Sequence, residues 1–277
     1  MVLVSLVRPS ILVLAFLLAF TSGPARAVLI VIDNGSAPPD PANVIDAVDD
    51  EAEYEVRDSA GGDATAVAVV DPATFLSLQV FGASSAVLEG GGGGPGTSLL
   101  GATDQASLVI RGGTASFLSV GGHSSLLLES GGHTLGPDSF LGVFGDATAT
   151  ILGGLVADSG LQVTERGQVT IRGGQFVQLD GTTPGMWEIL DEALVTVHGG
   201  GFAIDGIPVP FGQVSVGSGR LTGLLESGDA LDVSFFVGPA TSLFLVPEPS
   251  LALLLGAGLA ALGLRRAKDG RATHGAS

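Results

Sequence analysis

The sequence predicts an all-β protein: a short parallel β-helix, or β-solenoid, of about six coils, with an N-terminal and a C-terminal cap and an apolar segment at each end. Three observations carry this. Paired glycines recur at Gly90, Gly112, Gly131, Gly153, Gly173 and Gly199, at intervals of 22, 19, 22, 20 and 26 residues. Each pair closes a short alternating run, as in SAVLEGG, SLVIRGG, SLLLESGG, ATILGG, QVTIRGG and LVTVHGG. About ten residues before it lies a second apolar run, as in LSLQVFG, SFLSVGG, SFLGVFG, SGLQVTE and MWEILDE, so each unit reads as two strands and a turn. A β-sandwich has short strands but not self-similar units closed by one dipeptide, and a hydrophobic content of 45% opposes a disordered glycine-rich coil. The chain has no cysteine, so burial and backbone pairing must hold the fold.

The elements follow in order. Residues 1–27 read as a signal peptide: Arg8 is the positive start, Ile11 to Phe20 the apolar stretch, and Ala25 and Ala27 the small residues of a cleavage site after Ala27. Ten apolar residues fall short of the roughly 20 that a membrane-spanning helix needs. Signal peptidase and the Sec machinery are the expected partners there. Residues 28–76 hold an N-terminal cap and the first strands, and residues 77–203 the repeats. In GQVTIRGG, Val169 and Ile171 face one way while Thr170 and Arg172 face the other. The same phase gives an interior of Leu88, Leu108, Ile110, Leu126, Leu128, Ile151, Val169, Ile171, Val195 and Val197. Glycine at each corner permits positive φ. Six coils at the strand spacing make a rod about 29 Å long. Residues 204–245 form a β cap with a hairpin turn at Glu226-Ser227-Gly228-Asp229, because exposed end strands must be covered.

Residues 246–277 differ from the rest. Pro247-Glu248-Pro249 precede an apolar run from Leu251 to Leu264, and Arg265, Arg266, Lys268 and Arg271 follow. As a helix the run reaches about 21 Å, short of a hydrocarbon core near 30 Å, so it is marginal as a permanent anchor. Arg265, Arg266 and Lys268 set its topology, keeping the tail cytoplasmic and the body outside. The order of PEP tripeptide, apolar helix, arginines and C-terminus, with a signal peptide in front, resembles the PEP-CTERM sorting signal of Gram-negative and related bacteria. The VIDNG opening, the GG-closed coils and the LTG-L-GDAL-F ending also resemble a recurring architecture among PEP-CTERM exported proteins, one that implies no particular activity. The resemblance implies a sorting motif at Pro247, Glu248 and Pro249, transient insertion into the inner membrane, and processing by exosortase on its outer side. It further implies a destination at the outer surface or in the extracellular matrix, often alongside exopolysaccharide and biofilm.

Between Val28 and Ser250 five cations stand against 27 carboxylates, a balance of −22. Such a body is repelled by nucleic acid and by anionic headgroups. A glycan-cleaving site needs paired carboxylates on one face, usually beside aromatic rings. The sequence offers one Trp, Trp187, and one Tyr, Tyr54, with Asp104, Glu129, Asp146, Asp158, Glu165, Asp191 and Glu192 at unlike phases. Asp191-Glu192 beside Trp187 is the best pair, set against the reading of a solvated turn. His123 and His133 each follow a glycine pair, without a third ligand at fixed spacing, and read as turn histidines. The acidic run Asp46, Asp49, Asp50, Glu51, Glu53, Glu55 lacks the spacing of a calcium loop and reads as a solvated charge run. No catalytic, cofactor or metal residue is therefore assigned. The expectation is an exported, non-catalytic surface or matrix protein associated with exopolysaccharide. The alternative is a polysaccharide-active β-helix enzyme, a lyase or hydrolase, or an adhesin at the cell surface.

Overall fold

A computed structural model describes residues 28–33, 43–46, 48–93, 99–129, 133–134, 140–157, 160–177 and 184–248. The described residues hold strands and no helix, and the strands wind into a parallel β-solenoid. A representative coil runs through Ser77–Val80, turns, continues as Ser85–Leu88, turns again at Gly90-Gly91 and ends in the two-residue strand Gly92–Gly93. Each coil therefore has three sides, where the sequence suggested two strands and a turn. The extra strands are two or three residues long, too short to show a period.

The first side stacks Val28–Asp33, Ala52–Arg57, Ser77–Val80, Leu99–Ala102, Phe117–Val120, Phe140–Val143, Leu161–Val163, Gly185–Ile189 and Ala230–Val237, all parallel. The second stacks Asn43–Ile45, Ala66–Val69, Ser85–Leu88, Ser107–Ile110, Ser125–Leu128, Thr148–Ile151, Gln168–Ile171, Leu194–Ile204 and Ser242–Pro247. The third has six strands, from Thr74–Phe75 to Gln175–Val177. Six coils thus have all three sides, and two-sided rungs extend the stack at both ends. Nine rungs at the usual strand spacing make about 43 Å, longer than the 29 Å rod expected from six.

The complete coils are displaced from the glycine count. Residues Ala52 to Phe75, expected within the cap region, form the first of them. Gly199 and Gly200 form no corner: they lie inside the long strand Leu194–Ile204, whose end leaves the stack for the cap.

All ten interior positions read from the alternation are buried, from Ile151, Ile171, Val195 and Val197 at 0% exposure to Ile110 and Leu126 at 3%. In-register stacking puts like on like, Ile110 on Leu128 and Val169 on Val195, so each coil covers the apolar face that its neighbour cannot bury alone. Outward side chains also stack. On the second side one column runs Ser85, Ser107, Ser125, Thr148. The adjacent column runs Val87, Val109, Leu127 and then Thr150, Thr170, Thr196.

Two of the corners between these sides follow a recurring pattern. The corner between the first and second sides has a left-handed second residue, Gly82, Asp104, Gly122, Gly145, Glu165 or Asp191, at φ between 59° and 67°. Its fourth residue is small and buried, as at Ser84, Ala106, Ser124, Ala147 and Ala193. The second corner holds the glycine pairs. Its stacking needs the missing side chain: a Cβ on Gly173 would lie 2.1 Å from the carbonyl oxygen of Leu152 in the coil below.

At the C-terminal end, Leu194–Ile204 turns at Asp205-Gly206, both at positive φ, and Ser218–Leu225 returns antiparallel to it. The hairpin turn at Glu226–Asp229 is present and leads into Ala230–Val237. That strand rejoins the first side on Gly185–Ile189, and its outer edge is covered by Ser218–Leu225. Gly212–Gln213 likewise pairs antiparallel on the outer edge of Ser242–Pro247. Both edges end in antiparallel partners, which removes a template for further pairing.

Candidate functional site

The described strands begin at Val28, one residue beyond the expected cleavage site, and end at Pro247, the first residue of the expected sorting motif. Pro247 is the last residue of Ser242–Pro247 and stands opposite Gly199 in the parallel ladder. A proline suits that position because a strand end does not need its missing N–H. Glu248 follows, half-buried. Val246, Pro247 and Glu248 therefore belong to the edge of the folded rod rather than to a free linker. Pro249, the apolar run Leu251 to Leu264, Arg265, Arg266 and Lys268 lie outside the described residues, as do Ala25 and Ala27. Among the described residues no helix is long and apolar enough to cross a membrane.

The five arginines of the body are all paired with carboxylates. Arg111 bridges three successive coils at the glycine corner, 3.1 Å from Glu89 and 3.3 Å from Glu129. Arg166 reaches Asp146 on the preceding coil at 2.7 Å. Arg57 pairs with Glu55 and lies over the Phe81 ring at 5.6 Å. In the cap Arg220 grips Asp232 through Nε and Nη2 at 2.7 and 2.6 Å, which holds the Asp232 carboxyl below its ordinary range and raises the guanidinium. Arg172 and His198 flank Glu226 at 3.8 and 3.9 Å. Burial, and after it the charge of Arg172, pushes the His198 imidazole down against the opposing pull of Glu226. The Asp58 carboxyl is lowered by the Ser84 hydroxyl, 2.6 Å away, and by the Ala83 N–H. The contacts of Asp58, Arg111 and Arg166 tie coil to coil.

The pair Asp191-Glu192 does not form a site with Trp187. Trp187 points inward at 0% exposure and packs edge-on against Phe176, with ring centroids 5.1 Å apart. Asp191 occupies the left-handed corner position, and its carboxylate accepts the Glu165 N–H at 3.2 Å. Asp104 does the same for the Gly82 N–H at 3.3 Å. Tyr54 is also a core residue, at 6% exposure. His123 sits at the first corner, 3.6 Å from Asp146, and His133 belongs to a strand of the third side. Asp158 lies outside the described residues. In the acidic run, Glu53 and Glu55 point outward from the first side while Asp49 and Asp50 occupy the preceding turn. Among the described residues no group of three or more His, Cys, Asp or Glu could hold a metal ion. A hollow of ≈ 400 Å³ lies between Gln213–Gly217 and Val237–Thr241 in the cap, without a titratable side chain in its lining.

Sequence reasoning missed the first corner. Its signal is weak but real: a residue at positive φ, then any residue, then Ala, Ser or Gly, directly before six of the strands of the second side. Compared with known proteins, the chain matches no family model, no curated protein and no solved structure.

Proposed function

We propose that this chain is an exported, non-catalytic surface or matrix protein, sorted through its C-terminal strip by exosortase and associated outside the cell with exopolysaccharide. The observation that carries the reading is the junction at Pro247. Folded strand runs up to the PEP tripeptide, and only three residues separate Pro247 from the apolar run. A rod so joined stands directly on the outer face of the membrane, with the tripeptide at that surface and Arg265, Arg266 and Lys268 holding the far side. The resemblance to PEP-CTERM proteins supplies the processing enzyme, and the acidic body supplies a solvated rod that anionic lipid does not retain.

The test is in cells that carry exosortase. Replacing Pro247, Glu248 and Pro249 together by Ala leaves the apolar run and its arginines intact, so the variant inserts but accumulates unprocessed in the inner membrane. Fractionation with mass spectrometry of the mature C-terminus reads the outcome. Equal maturation of variant and parent overturns the sorting reading.

A further inference from the structure

We propose, resting on the membrane insertion inferred above, that residues 206–219 at the C-terminal end of the rod seat on the lipid surface beside the inserted tail. This segment runs along the outermost edge of that end. Ile207 and Pro208 pair with Ile204 and Ala203, the Val209 N–H donates to the Phe202 carbonyl at 3.0 Å, and Gly212 and Gln213 stand opposite Leu245 and Phe244. Among the described residues no strand pairs with its far side. The same antiparallel ladder carries Phe211 towards Val246, so the segment flanks the strand that delivers Pro247.

Residues 206–219 contain no charged side chain, in a chain with 28 carboxylates. Ile207 is 69% exposed, Phe211 49% and Val216 44%, and Pro208 and Pro210 are exposed between the first two. Phe211 is fixed in place by packing edge-on against the buried Phe202, with ring centroids 6.2 Å apart. The hollow beside the segment adds no titratable side chain to this surface. The opposite end of the rod also exposes Leu29, Val31, Val44 and Val48, but sets Asp33, Asp46, Asp49 and Asp50 next to them in sequence. Seating that end on lipid would strip carboxylates of water, a cost that residues 206–219 do not carry.

Position selects lipid over a protein partner. Leu251, where the apolar run starts, follows Pro247 by four positions, so insertion of that run brings the segment flanking Pro247 to the membrane. An exposed apolar patch at that level is the kind of surface that marks membrane contact. A further strand pairs poorly along it, because Pro208 and Pro210 have no N–H to donate. A second copy inserted in the same membrane presents this end to the bilayer as well, so the two ends do not face each other. Three apolar side chains do not by themselves hold a body with a balance of −22 on a membrane. The tail makes the contact intramolecular and raises its effective concentration, and removal of the tail ends it. Seated in this way, the cap fixes the height and orientation of the PEP strip at the membrane surface.

The experiment uses the full-length chain reconstituted in phosphatidylcholine vesicles that carry headgroup spin-labelled lipid. Because the sequence has no cysteine, Ser215→Cys and Ser119→Cys each give a single site for a fluorophore. Quenching by the spin label is expected at Ser215→Cys and not at Ser119→Cys, which points outward from the first side at mid-rod. In the Ser215→Cys background, Ile207→Asp and, independently, Phe211→Asp are each expected to lower the docked-to-free ratio about tenfold, since seating one large apolar side chain is worth about that factor or more. Val31→Asp, at the opposite end, is expected to leave the ratio unchanged. Circular dichroism and a thermal melt confirm that each variant folds, and the exposed Ile207 provides a second variant should Phe211→Asp disturb the contact with Phe202. The proposal is overturned by an unquenched probe at Ser215→Cys, which would leave a protein as the occupant, or by equal quenching at Ser119→Cys, which would lay the rod flat. It is equally overturned if the folded Asp variants are quenched as the parent is, because the tail alone would then set the depth. Proteolysis of the vesicles and mass spectrometry of the embedded fragment containing Leu251 to Leu264 read insertion separately. Docking lost while that fragment is embedded leaves the sorting reading standing, whereas an absent fragment removes both.

Discussion

Ile171 shows what a single interior position carries. It is fully buried, with Ile151 below and Val197 above, so aliphatic groups meet it from both neighbouring coils. Ile171→Asp places a carboxylate there without a partner, and several kcal/mol of destabilisation, on the order of 3 to 5, is expected in urea titrations. Ile171→Val should cost only about 1 kcal/mol. His198 gives a second residue-scale test. Its folded pKa lies below that of the unfolded chain, so as pH falls from the ordinary histidine value the unfolded state takes up a proton first. Stability is then lost as pH falls through that window and recovered as it rises. The slope of the urea midpoint between about pH 5 and 8 should be smaller in His198→Gln than in the parent. A slope unchanged by the substitution would assign the pH dependence elsewhere.

The corners decide how elements stack. The glycine corner brings backbone against backbone between coils, and at Gly173 even a methyl group would meet the Leu152 carbonyl. Gly173→Ala should therefore cost about 1 to 3 kcal/mol by forcing the corner apart. Gly200→Ala, one residue beyond Gly199, which itself lies against the Leu224 carbonyl, has nothing within 4 Å of its new methyl group. It should change stability by no more than about 0.5 kcal/mol. Thermal melts of the two variants check the contrast, and equal losses would show that the corner does not rely on close approach. Gly173-Gly174 and the run Gly199-Gly200-Gly201 each follow an alternating stretch of the second side. What separates them is the segment that follows: after Gly200 the alternation continues through Phe202 and Ile204, both buried, and Ser218–Leu225 pairs with it from fourteen residues further on.

At the scale of the molecule the two ends of the rod differ. Antiparallel strands cover both edges at the C-terminal end, while among the described residues no strand pairs with the outer edge of Val28–Asp33. Leu221 anchors the C-terminal cover and is fully buried against Val233. Leu221→Asp should loosen Ser218–Leu225, bare the edge of Ala230–Val237 and make the protein associate with rising concentration. Analytical sedimentation would detect this, and a variant that sediments as the parent does would show that the cap is not what guards that edge. From the sequence by itself came the class of fold, the interior phase, the hairpin of the cap and the expected export signals, because each is written in neighbouring residues as a period of two, a turn or an apolar run. Tertiary structure decided the third side, the left-handed Asp104, Glu165 and Asp191, the inward turn of Trp187 and the fate of Gly199-Gly200. Each of these depends on a partner one coil or more away, and a coil has no stable shape until its neighbour covers its open face.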